Sequence, residues 1–479
     1  MSKMLSAAKR VLLSTRINAF WMFLLVFFIS LIHVSTSKYS VQYYDSENYW
    51  FLAKSFDSEN GFSLYGFKDS LRGYFFPLLH YPFVVFSRCF LDNSNISVIK
   101  FIGCIYAGVT FGFAAPKLWE KVSGGYLYFW QKVLFSMLCL YFWRDYFNFF
   151  LSDFPAILAL LLALISSYYN RNILYVFCAG ALVAASVYCR PIYLLAVPFV
   201  LLLVLHTDSM QQGVRRYADK ALRLVILVIA FLCVGYPQYL INKKNFDSSK
   251  ILPLGESEGY KVGSSKDLYL WQLNQGLQIQ RYETNVGNQY SKLQVVFVDQ
   301  AGSRMLRENY LPELGSYAEY FSFAWQHNAD IACLYARHLF NGLDLLYTSP
   351  YVKNIYQSNI FLSWLLYSVI FIALCLSLKK ITQLSLHQWL VLGALLIVCA
   401  ASVPIVVETR FFLPLHLLLY AIACFGWPSR LSLKQQPAEQ WLKYGLVYLV
   451  FLLGCFTLSS SVQATLELGP RLLTENQVQ

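Results

Sequence analysis

An all-α polytopic membrane protein is the fold class this sequence predicts, and three observations predict it. Of its 479 residues 57% are hydrophobic and only 13% charged, too few polar side chains to cover a soluble domain. Apolar runs long enough to cross a hydrocarbon layer of about 30 Å recur along the chain, and the backbone's own polarity forces such runs into helices. The basic residues, finally, gather in short segments between alternate runs.

The apolar runs place spans near residues 17–36, 96–115, 125–143, 153–169, 173–189, 191–206, 222–241, 356–378, 386–405, 410–426 and 444–460, about eleven in all. The first lacks a small-residue cleavage site and reads as a retained anchor. Lys3, Lys9, Arg10 and Arg16 precede it, which predicts a cytoplasmic N-terminus. Further cytoplasmic segments then fall at Lys117 to Lys121, around Arg171, at His206 to Arg223, at Lys379-Lys380 and at Arg430 to Lys443. With the N-terminus they hold 16 of the 38 Lys/Arg and 4 of the 26 Asp/Glu, so the rest of the chain carries 22 of each sign. The net charge of +12 is therefore topological, and the nucleic-acid partner it would otherwise suggest is excluded. Ten of the eleven cysteines lie in apolar helical stretches and only Cys333 in a large polar region, with no disulfide framework or zinc spacing.

Between the first two spans, residues 37–95 form the least ordinary loop. The tetrapeptide Asp-Ser-Glu-Asn occurs there twice, at Asp45 and at Asp57. From Asp45, the positions Tyr49, Leu52, Ala53 and Phe56 recur at helical spacing with Lys54 and Ser55 off that face, which predicts a short amphipathic helix at the membrane surface. The second cluster, Asp57 to Asn60 before Gly61, reads as the signal that stops this helix. Tyr74 to Phe90 is apolar but carries two prolines, a histidine and an arginine, and is read as a second interfacial helix, since counting it as a crossing would invert every later loop. The chain thus divides into an N-terminal membrane module, 1–241, a polar external domain, 242–355, and C-terminal helices with an external tail, 356–479. No internal repeat points to a two-fold transporter.

Four polar sites fall on the outer face: Asp45; Arg144, Asp145 and Asp153 after the third span; Arg190 after the fifth; and Glu408 with Arg410. Charged groups at span ends are costly unless they meet water, headgroups or one another. Two have structural explanations. Asp153 in "LSDFP" suits an N-cap with Pro155 in the first turn, and Arg190 before Pro191 could reach to headgroups. Glu408 and Arg410, by contrast, interrupt the apolar stretch "VVETRFFLPLH" with almost no loop.

This order of elements resembles the GT-C glycosyltransferases: an acidic residue in "YYDSENY" of the first external loop, two interfacial helices, a second acidic loop after the third span, and a late Arg-aromatic-x-x-Pro element. Protein O-mannosyltransferases and the lipid A aminoarabinose transferase are similar in layout. The resemblance runs from residue 1 to about 206 and returns at 406–416; its motifs are short. Where that family has an Asp-Glu pair a serine intervenes here, and the helix that usually carries His-Pro-Pro-Leu reads "FFPLLHYP".

The resemblance implies a sugar carried on a polyprenyl phosphate and transferred to a glycan, lipid or protein acceptor at the non-cytoplasmic face, most simply the periplasmic face of a bacterial inner membrane. The phosphate is already a leaving group, so the protein must supply a base for the acceptor hydroxyl and positive charge for the departing phosphate. Asp45, its carboxyl raised above the usual value of about 3.9 by partial burial, is the expected base, with Asp153 as the second catalytic acidic residue. Arg190 and Arg410, then Arg72 and Lys54, are expected at the phosphate. Asp145, Glu408, Glu47 and His80 are expected to orient the acceptor. No particular cofactor is specified; a divalent cation shared by Asp45 with Asp153 or Asp145 stays possible, though no ligand cluster identifies one. Two other readings stand beside this one: a lipid-linked glycan flippase or transporter, and an O-antigen-type polymerase.

Overall fold

The computed structural model describes residues 18–59, 61–90, 95–206, 214–309, 313–355, 359–378, 381–427 and 438–467. The basic N-terminal run, Asn60, Lys379-Lys380 and the tail beyond Glu467 lie outside the described residues. The chain divides into two compact units, one formed by Met1–Leu254 with Thr382–Val398 and the other by Gly255–Ile381 with Cys399–Gln479.

The first unit begins with α1 (Ala19–Thr36), ended where the Ser37 hydroxyl donates back to the Val34 carbonyl at 2.9 Å. Then come the short α2 (Tyr44–Lys54) and α3 (Phe75–Phe90). α4 (Asn95–Ser123) is one long helix with a π segment at Gly108–Ala114. There a Cβ on Gly112 would stand 2.7 Å from the Met22 carbonyl, so only glycine lets α4 lie this close to α1. α5 (Phe129–Trp143), α6 (Asp153–Ser167), α7 (Ile173–Cys189), α8 (Pro191–His206) and α9 (Val214–Phe246) complete the helices of the N-terminal part.

Helix ends in this unit gather into two groups. Lys121 lies 4.1 Å from the Tyr169 ring centre, Gln388 donates to the Val122 carbonyl at 3.1 Å, and the rings of His206 and His387 are 4.7 Å apart. These are the ends the charge pattern assigns to the cytoplasm. At the other ends of α6 and α8 Asp153 meets Arg190, and the ends of α1 and α5 join them there, with His33 meeting Asp145 and Tyr146 meeting Asp153.

The second unit starts with α10 (Leu268–Gly276), strands β3 (Ile279–Asn285) and β4 (Gln294–Val298), and helices α11 (Gln300–Glu308), α12 (Tyr317–Gln326) and α13 (Asn328–Leu343). It continues with β5 (Tyr351–Val352), α14 (Ile360–Leu378), the end of α15 (Leu386–Ser402), α16 (Thr409–Phe425) and α17 (Ala438–Gln463). The sheet order is β4-β3-β5, antiparallel then parallel. Residues just past α17 extend it: Val298 N–H donates to Thr465 at 3.0 Å and Glu467 N–H to Val296 at 2.9 Å. The core packs Leu270, Leu277, Leu306, Leu334 and Phe412 together.

The chain is mostly helical, and among the described residues five helices are long and apolar enough to cross a membrane: Ala19–Thr36, Asn95–Ser123, Tyr217–Phe246, Ile360–Leu378 and Leu442–Gln463. The other expected spans also fall on helices, but shorter ones. Two features depart from expectation. Small sheets interrupt the all-helical pattern, because the polar segment carries alternating stretches such as "QVVFV" that suit strands. The second acidic cluster does not cap α2, which ends at Lys54; Asp57 and Ser58 instead form β1, paired with β2 (Gly61–Phe62) in a hairpin where Gly61 has φ +98°. Asp57 there binds the exposed Arg88.

Candidate active site

Six of the ten expected site residues, Asp45, Glu47, Lys54, Arg72, Asp145 and Asp153, come from the two loops flanking the α1 and α5 ends, and the structure shows what joins those loops. Ser46 Oγ accepts from the Tyr43 N–H at 3.0 Å and starts α2, leaving Asp45 in its first turn, where the helix dipole favours an anion. Tyr44, beside it, has φ +43°, a strained value for a bulky residue. Tyr49, Leu52, Ala53 and Phe56 are buried as their spacing predicts. Lys54 and Glu47 point to solvent.

Asp45 accepts from Arg72 at 2.7 Å, 27 positions away. With 36% of its side chain exposed it is the partly buried carboxylate expected, still accessible and held by a cation. Asp69 also takes Arg72 at 3.4 Å, and the guanidinium lies 5.2 Å from the Tyr49 ring centre. The Tyr49 hydroxyl in turn accepts from Ser152 at 3.0 Å, beside Asp153. Farther along the loop, the Gln42 side chain bonds both the Asn148 carbonyl at 2.9 Å and the Phe150 N–H at 3.0 Å.

Asp153 is the first residue of α6 rather than its N-cap. Its carboxylate, 3% exposed, binds Arg190 and accepts from the Tyr146 hydroxyl. Arg190 therefore has a carboxylate partner as well as any headgroup. Two residues earlier, a Cβ on Gly73 would fall 2.0 Å from the Tyr188 carbonyl, so glycine is what lets the Arg72 segment lie on the end of α7. A closed circuit results: Asp45 to Arg72, Arg72 to Tyr49, Tyr49 to Ser152, Asp153 to Arg190, and the Tyr188 backbone to Gly73 beside Arg72.

The remaining predicted residues have other surroundings. Asp145 takes the His33 Nε2 at 2.8 Å. His80 is buried, its Nδ1 donating to the Phe76 carbonyl at 2.7 Å, which leaves Nε2 to accept from the Tyr106 hydroxyl at 2.9 Å. Both nitrogens are engaged, within α3 and with Tyr106 of α4.

Glu408 and Arg410 belong to the second unit and pair with each other at 2.7 Å. Beside them stands an ionic network that the sequence reading missed. Arg281, 1% exposed, binds Glu283 at 2.7 Å and 2.9 Å and the Asp344 carbonyl at 2.8 Å. Asp344 accepts from Tyr367 and Ser459, each at 2.7 Å. The Tyr282 N–H donates to Val407 at 2.9 Å, tying β3 to the Glu408 segment. Arg281 and Glu283 stand two apart on a strand, hence on one face, which is the signal that could have found them.

Among the described residues no group of three or more His, Cys, Asp or Glu side chains is placed to hold a metal ion. Asp45, Asp145 and Asp153 are each engaged by a nitrogen cation or imidazole instead. All eleven cysteines are free thiols.

No family model, no curated protein and no solved structure matches this chain. Its chemistry must therefore be read from its own residues. The circuit offers two guanidiniums, each balanced by a carboxylate, next to a strained turn and an accessible carboxylate. A phosphate entering such a site can take over a guanidinium from its carboxylate partner, which frees that carboxylate to accept a proton.

Proposed function

We propose that this protein is a membrane glycosyltransferase that moves a sugar from a polyprenyl-phosphate donor to a glycan, lipid or protein acceptor at the non-cytoplasmic face of a bacterial inner membrane. The observation that carries the proposal is the circuit joining Asp45, Arg72, Asp153 and Arg190. It gathers acidic and cationic side chains from three separate loops at one set of helix ends, as transfer from a phosphate carrier needs.

In this reading the donor phosphate engages Arg72 and Arg190, and Asp45 is released to act as base. The acceptor oxygen attacks the anomeric carbon from the face opposite the phosphate. The carbon–oxygen bond to phosphate breaks, its electron pair leaves with the polyprenyl phosphate, and the acceptor proton passes to Asp45. The anomeric configuration inverts. Asp153 keeps Arg190 aimed, and Tyr146 holds Asp153.

Incubating the purified protein with a panel of polyprenyl-phosphate sugars tests this. Release of polyprenyl phosphate, or protection against heating by one donor, is expected. Movement of an intact lipid-linked glycan between leaflets without bond cleavage would favour the flippase reading instead, and joining of preformed lipid-linked glycans the polymerase reading.

A further inference from the structure

The helical hairpin of the second unit carries an apolar surface unusual for a segment otherwise so polar. In α12, Tyr317, Phe321 and Trp325 recur every four residues and are 38%, 67% and 81% exposed, while Tyr320 and Phe323 on the other side are buried. Ala332, Ala336 and Leu339 of α13 are exposed on one face as well. A bond of 2.8 Å between the Tyr320 and Tyr335 hydroxyls holds the two helices together. Contiguous exposed apolar surface of this kind marks a contact with something.

What it contacts follows from where the hairpin is fixed. The last turns of α13 are bonded to the ends of four apolar helices. His338 Nδ1 donates to the Val403 carbonyl just past α15 at 2.7 Å. His416 of α16 donates through Nε2 to the Gly342 carbonyl at 2.9 Å. Asp344 takes hydroxyls from Tyr367 of α14 and Ser459 of α17. At the other side of the hairpin, Tyr317 stacks on Tyr269 with ring centres 6.4 Å apart, and the Tyr269 hydroxyl donates to the Ala401 carbonyl at 2.8 Å. α15 and α17 meet the hairpin near their finishes, and α14 and α16 meet it in their first halves, through Tyr367 and His416. That is the alternation of helices crossing a layer to and fro, and it sets the hairpin at the level where apolar chain gives way to polar.

We infer that α12 and α13 lie partly immersed in the headgroup layer of the membrane that this unit spans, with Phe321 and Trp325 inserted among the lipids. Tyrosine and tryptophan favour that layer because their rings are apolar and their polar edges can reach water or headgroups. Immersion of this hairpin is independent of the glycosyl-transfer reading and stands or falls separately from it.

The test uses the full chain reconstituted in phosphatidylglycerol-containing vesicles, with the exposed Cys89, Cys233 and Cys333 changed to Ser. An environment-sensitive fluorophore is attached at Phe321→Cys, at Trp325→Cys, and at Lys261→Cys, an exposed control in the same unit. Expected are blue-shifted emission at 321 and 325, quenching by lipids carrying a nitroxide near the headgroup, and neither effect at 261. Water-like emission at both hairpin positions would overturn the inference. So would disulfide cross-linking between copies at 325 with no lipid quenching, which would make the face a contact between two chains.

Discussion

The Tyr49 hydroxyl accepts a hydrogen bond from Ser152, 103 positions away, at 3.0 Å. That bond pins the helix bearing Asp45 to the turn bearing Asp153.

The two acidic clusters should respond differently to loss of charge. Asp45→Asn keeps the hydrogen bond to Arg72 in part but removes the proposed base, and a loss of about 10² to 10⁴ in transfer rate is expected. Asp57→Asn breaks a pair with the half-exposed Arg88 and leaves an oxygen for the Tyr81 hydroxyl, which donates to Asp57 at 3.3 Å, so stability should fall by no more than about 1 kcal/mol and activity should hold. Rates measured on the two variants side by side check this, and the reverse order would contradict it.

Arg190 and Asp153 should be coupled. Removing Arg190 strands the Asp153 carboxylate at a buried position, which costs about 3–5 kcal/mol, and removing Asp153 leaves the partly exposed Arg190 unpaired at a smaller cost. Removing both should cost clearly less than the sum of the singles. Thermal unfolding of Arg190→Ala, Asp153→Ala and the double variant in detergent reads the coupling directly; simple additivity would show that the pair does not act as a unit.

The same reasoning applies in the second unit with a different readout. Arg281→Met leaves Glu283 and Asp344 without their cation and should destabilise by about 3–5 kcal/mol. Protease sensitivity of the segment after residue 255 should rise with it, whereas an unchanged pattern would mean the network is dispensable.

Burial pushes His338 down to about 4 from its ordinary 6.5. Arg337 lowers it further, against the Val403 carbonyl and Asp299, which raise it. The folded protein thus keeps the ring neutral while an unfolded chain takes up a proton. Stability is therefore present above about pH 6.5 and falls as pH drops toward 4, by at most about 3 kcal/mol for this group. His338→Asn should flatten that part of the stability profile, and an unchanged slope would contradict the assignment.

The helices were legible because apolar length and helical spacing are local properties: the buried face of α2 is spelled out by Tyr49, Leu52, Ala53 and Phe56. The acidic and basic candidates were legible too, since a charge at the end of an apolar run announces itself. Their partners were not. Arg72 reaches Asp45 across 27 positions and His33 reaches Asp145 across 112, and no periodicity records such pairings. Arg281 and Asp344 went unnoticed because each sits in a polar segment where an isolated charge looks like ordinary surface. The hairpin at Asp57 was misread for a related reason: Asn before Gly signals a turn equally well at a helix end and between two strands.

The central claim is that Asp45 and Arg72 act on a phosphate-linked sugar, one as base and the other as phosphate ligand. Donor binding and polyprenyl-phosphate release, measured together on the wild-type protein, Asp45→Asn and Arg72→Ala, test it most directly. The account predicts that Asp45→Asn binds donor with near wild-type affinity yet releases no product, while Arg72→Ala loses binding. Undiminished release by Asp45→Asn, with a donor that the wild-type protein cleaves, would contradict it.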